Sequence, residues 1–164
     1  MSIKQSFTIE INKEADSTKK MLERVPAEQF DWKPHEKSMT LKALATHVAH
    51  LESWPALVIT TDELDFQNNT LERPKINTTQ DLVDLSEKGR YESLQALENM
   101  DVEKMKDIWT LRNGEQILIE LPKIGVLRGM CLNHLVHHRG QLSVYLRLLN
   151  VPVPGMYGPS ADEH

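Results

Sequence analysis

His134 and His138 stand four residues apart within a stretch of helical periodicity, so both imidazoles fall on one face, one turn apart. That spacing lets two rings bind one ion. A third imidazole, His47, sits in a separate helix-like stretch, Thr40 to Val58. If the two helices pack side by side, three neutral imidazoles can surround a divalent ion and leave positions for water or substrate. Such a donor set belongs to catalytic rather than structural sites. The plainer reading of His47 is a core-facing histidine hydrogen-bonded to a carbonyl or a carboxylate. The pair shares its stripe with Leu127, Leu135, Leu142 and Tyr145, and imidazoles buried in such company cost several kcal/mol if nothing polar faces them.

Residues around the pair offer supporting roles. His137 lies about 100° around the helix from His138, and Arg139 and Gln141 border the same helix. All three are candidates to orient the imidazoles or hold an anion, with solvated edge residues as the alternative. Cys131, one turn before His134, offers a conceivable thiolate, although a small core residue serves packing as readily. Gly140 costs about 1 kcal/mol against alanine inside a helix, which points to a close approach by a backbone or a ligand. His35 and His50 read as surface groups. No carboxylate is tied to the site by spacing, so no general base is named.

Four helical segments must position these residues. The first runs from about Ser6 to Arg24 on Ile11, Ala15, Met21, Leu22 and Val25, and Pro26 breaks it. A linker, Gln29 to His35, carries Phe30 and Trp32, which can plug the end of a bundle. The second segment opens at Ser38 or Thr40 and buries Leu41, Leu44, Val48 and Leu51, with Pro55 bending or ending it. His47 lies about 60° from Leu44 and His50 about 120°, so His47 is the better placed to face inward. Thr78 with Asp81 resembles a capping box and opens the third segment, whose small face (Ser86, Gly89, Ser93) admits a close neighbour. Asn113-Gly114, flanked by partly alternating apolar residues from Ile108 to Leu121, signals a hairpin that covers one end of the bundle or walls the mouth of a site. The fourth segment runs from Pro122 or Lys123 to about Leu149, where Val151-Pro-Val-Pro-Gly155 forbids continuation, and the tail beyond reads as an extended arm on the bundle. The expected fold is all-α: a four-helix bundle with a short hairpin or extended loop between helices three and four, in one domain over residues 1–164.

With 164 residues the chain can bury one core. Its net charge of −5, with both signs interleaved, supplies no concentrated positive field, which argues against a nucleic-acid partner. Met1 to Ser6 lack the apolar core of a signal peptide, and no apolar run approaches the roughly 20 residues of a membrane span. A soluble, cytoplasmic protein with no membrane partner is expected. The lone Cys131 forms no internal disulfide. Two Asn-x-Thr triplets, at Asn68 and Asn77, matter only on secretion.

Three stretches together resemble the DinB/YfiT-like superfamily: Leu44-Ala-Thr-His47-Val-Ala-His-Leu-Glu-Ser-Trp54, Asn133-His134-Leu-Val-His-His138-Arg-Gly-Gln141, and Pro154-Gly-Met-Tyr-Gly-Pro-Ser-Ala-Asp-Glu163. That pattern has one histidine on the second helix and a His-x-x-x-His pair on the last, followed by Arg-Gly-Gln, which this sequence matches at His47, His134 and His138. The resemblance implies a dimeric four-helix bundle holding nickel, zinc or a similar divalent ion on those histidines. It also implies a small-molecule substrate, because members include enzymes that use low-molecular-weight thiols, such as bacillithiol S-transferases and mycothiol-dependent maleylpyruvate isomerase. A thiol-dependent S-transferase or a hydrolase is the expectation. A non-catalytic metal-binding dimer is its rival.

Overall fold

Polar caps, not the apolar pattern alone, set where three of the helices begin. The Ser2 hydroxyl accepts the Gln5 N–H while the Gln5 side chain accepts the Ser2 N–H, so α1 (Ile3–Leu22) starts upstream of the Ser6 expected from periodicity and ends short of Arg24. The computed structural model describes residues 1–68 and 74–163; Asn69 and Thr70 of the first Asn-x-Thr triplet lie outside them. Thr40 caps α2 (Leu41–Leu51) by accepting the Ala43 N–H.

The stretch from Thr40 to Val58, expected to bend or end at Pro55, is two helices. A proline ring collides with the carbonyl four residues earlier, and the residue four before Pro55 is Leu51, the last of α2. The chain turns at Glu52 and Ser53 and starts α3 (Trp54–Thr60), with Pro55 in its first turn, where a missing N–H costs nothing. α4 (Thr79–Asn99) opens as expected on the Thr78 and Asp81 box. Its small face meets the α2 to α3 turn so closely that a Cβ on Gly89 would lie 2.7 Å from the Ser53 nitrogen. Beside it the buried Ser93 hydroxyl donates to the Glu52 carbonyl and accepts the Ala56 N–H, joining three helices.

The chain is mostly helical but not all-α. β2 (Ile108–Asn113) and β3 (Gln116–Pro122) form the expected antiparallel hairpin, turning through Gly114 at φ +60°. β1 (Glu63–Asp65), which was not expected, pairs parallel to β2 and completes a three-stranded sheet in the order β1-β2-β3. Three residues carry too little pattern to announce a strand; Asp65 anchors it by accepting the Gly114 N–H and pairing with Arg112. Trp109 of β2 is fully buried, and its indole N–H donates to Thr61 just past α3, so the hairpin covers that end of the helices.

The last helical run has three parts: α5 (Lys123–Val126), a π-helical stretch (Leu127–Asn133) and α6 (His134–Leu148). It stops at Asn150, which takes a positive φ of 58° ahead of Pro152. α1, α2, α4 and α6 pack on one another around Met21, Leu44, Val48, Leu82, Leu97, Leu142 and Leu146. Cys131 belongs to this core, where burial pushes its thiol well above the usual range and leaves it inert packing. Gly140, expected to admit a close neighbour, is exposed with open space around it. No helix among the described residues is long and apolar enough to cross a membrane.

Candidate metal centre

Contact between α2 and α6 brings the three predicted imidazoles together. Nε2 of His47 is 3.3 Å from Nε2 of His134, which is 2.9 Å from Nε2 of His138. Ligand atoms of all three lie within 4.8 Å of one another. Metal–imidazole bonds of about 2.0–2.1 Å separate neighbouring donors by about 2.9–3.4 Å at angles between 90° and 109°, so the spacing fits one divalent ion. Each ring is half-buried, rather than sunk in the core as the apolar stripe implied.

The opposite edges of the rings show which nitrogens face the centre. His138 Nδ1 lies 2.7 Å from the Gln141 side-chain oxygen, and His134 Nδ1 lies 3.3 Å from the Met130 carbonyl. Oxygen acceptors there place the proton on Nδ1 and leave each Nε2 lone pair free. In an α-helix the Met130 carbonyl would take the His134 N–H, whereas here that N–H turns to Cys131. Burial first, then the His138 and His134 rings, lowers the His47 pKa to about 4, and burial followed by His138 lowers that of His134. Both are therefore neutral at neutral pH, the form that ligates metal.

The remaining candidates divide. Gln141 touches a ligand ring. His137 is exposed, its ring 4.9 Å from that of His138. Arg139 is neither an edge residue nor a neighbour of the imidazoles: it is 1% exposed, turns to Glu14 and Thr18 of α1, and also donates to the Tyr157 hydroxyl beyond α6. Sequence reasoning missed Trp54, whose ring meets His134 edge-on at 5.7 Å. Its place seven residues after His47 was the available signal. His50, expected on the surface, is half-buried and lines a cavity of about 840 Å³ with Trp54, whereas His47, His134 and His138 do not line it.

The DinB family model matches residues 1–164. An uncharacterized protein, YrdA, of Bacillus subtilis (strain 168) is 28% identical over 154 residues, spanning 92% of this chain and 85% of that protein. The fold is shared with the crystal structure of a DinB-like protein, YjoA, from Bacillus subtilis (TM-score 0.73, 20% identity, 92% of this chain and 97% of that one). It is also shared with a DinB-like protein from Bacillus cereus ATCC 10987 (TM-score 0.67, 23% identity, 93% and 94%).

Proposed function

The chain belongs to the DinB family, and from that premise we propose that it is a metal-dependent enzyme acting on a small molecule, with one divalent ion, nickel or zinc, held by His47, His134 and His138. The observation that carries this reading is the convergence of three imidazole ligand atoms, all within 4.8 Å, on a half-exposed edge of the helices. A divalent ion on neutral ligands keeps its full charge and supplies the Lewis acidity that makes a thiol or water nucleophilic at neutral pH. Gln141 and the Met130 carbonyl orient two of the rings, and Trp54 shields one flank of His134. The reaction favoured is transfer of a low-molecular-weight thiol to an electrophile, or hydrolysis, by a cytoplasmic homodimer in which residues 1–164 act as one domain.

The rival reading, a metal-binding dimer without turnover, is favoured by the cavity that has Trp54 but none of the three imidazoles in its lining. Protein purified without an affinity tag, loaded with Ni²⁺ or Zn²⁺ and offered a thiol with an electrophilic acceptor, separates the two. Turnover that follows bound metal supports the enzyme; stoichiometric metal with no turnover over a broad acceptor panel supports the rival. His138→Ala is expected to lower metal affinity at least 100-fold by calorimetric titration, and an unchanged affinity removes His138 from the site.

A further inference from the structure

The cavity between α3 and α4, at about 840 Å³, has the size of a small-molecule site. Trp54 and Leu57 of α3, with Met100 and Met105 beyond α4, give it a largely apolar wall. Both of its lysines lie at one end. Glu92 lies eight residues before Met100, about 12 Å along the helix. Lys104 and Lys123 gather at the other end, where both hold the Asp62 carboxyl below its usual range, Lys123 the more strongly. Asp101, at this end too, has Oδ1 engaged by the Glu103 N–H.

Lys123 sets the chemistry of the cavity. Its side chain is only 4% exposed, with Nζ 2.9 Å from Asp62 Oδ1 and 3.5 Å from the Ile59 carbonyl. An ammonium has three N–H donors and these partners occupy two. Packing holds the stem, so the charge is in place before any ligand arrives. We infer that the cavity binds an amphipathic organic anion, with its apolar body against Trp54, Leu57 and Met105 and its acid group at Lys123 and Lys104. Such an occupant touches the same indole that meets His134, yet its binding requires no metal and does not depend on the metal-enzyme reading.

Calorimetric titration of the full chain, metal-free and metal-loaded, tests this with decanoate as probe and decyltrimethylammonium as the apolar cation. Decanoate is expected to saturate at one per chain in both forms, at least tenfold tighter than the cation. Lys123→Met is expected to weaken decanoate tenfold or more, the usual worth of a charge-assisted hydrogen bond. Because loss of Lys123 can also disturb the α3 end, Lys104→Met is measured beside it. Ala96→Trp, which fills the cavity from α4, is required to abolish binding with an unchanged far-UV circular dichroism spectrum. Equal affinity for the two amphiphiles, absence of saturation, or full decanoate affinity in Ala96→Trp overturns the inference. So does sedimentation showing that Ala96→Trp separates associated chains that never bound decanoate, since the groove is then an interface between copies.

Discussion

Gln141 reaches back one turn of α6, and its amide oxygen fixes His138 with Nδ1 outward and Nε2 toward the other rings. Replacing it with leucine leaves that N–H to water, which the exposed position of Gln141 allows. The loss should therefore fall at the mild end for outer partners of metal ligands, about tenfold in affinity. Competition against a chelator measures it, and Gln141→Glu, which keeps an acceptor, should retain wild-type affinity; equal losses in both variants would show that the contact does not orient the ring. The three histidines were legible because a four-residue spacing and a helical phase are properties of local sequence. The Met130 carbonyl was not, since every residue has one and nothing in the local sequence marks which of them a ring will meet. Arg139 was misplaced for a different reason: its partners, Glu14 and Tyr157, come from the far ends of the chain.

At the scale of elements, Gly89 fixes how closely α4 approaches the turn that ends α2. An added Cβ would meet backbone, 2.7 Å from the Ser53 nitrogen and 2.9 Å from the Glu52 carbonyl carbon, and backbone cannot swing aside as a long side chain can. Overpacking of this kind costs about 1–3 kcal/mol and sometimes more. Alanine recovers about 1 kcal/mol of helix propensity. With the turn pinned by Ser93 on both of its sides, the clash should win, and Gly89→Ala should destabilise by about 2 kcal/mol in urea unfolding. A neutral or stabilised variant would mean that the helices can part. The small face of α4 and its capping box were readable because each needs only neighbouring residues. The break in α2 was half readable: Pro55 announced it, but the ring acts on the carbonyl of Leu51, so the helix ends four residues before the proline. β1 escaped because its pairing is with a strand more than forty residues away and its anchor, Asp65, is polar.

Across the whole molecule, the core contains a polar seam that no single segment reveals. Arg139 of α6 binds Glu14 of α1, and Tyr157 of the C-terminal arm closes on both, so one buried cation and one carboxylate are mutually satisfied. Glu52 enters the same seam from the end of α2 at 3% exposure, and its Oε1 has no hydrogen-bond partner among the described residues. Burial raises its pKa from 4.5 to about 7, and Glu14 pushes the same way. Thr18, Arg139 and Arg90 oppose the shift without cancelling it. A carboxyl that stays protonated in the fold while the unfolded chain ionises stabilises fully below about pH 4.5. That contribution drains away as pH rises to about 7, and the whole of it is worth about 3 kcal/mol. Glu52→Gln keeps the shape and removes the titration at this position. The stability of the glutamine variant relative to the parent, from urea unfolding at pH 4.5 and pH 8, should therefore climb by about 3 kcal/mol across that interval, through a fall in the parent that the variant does not share. Parallel curves would place the proton elsewhere in the seam, with the Glu52 carboxylate already charged at the low end of the range.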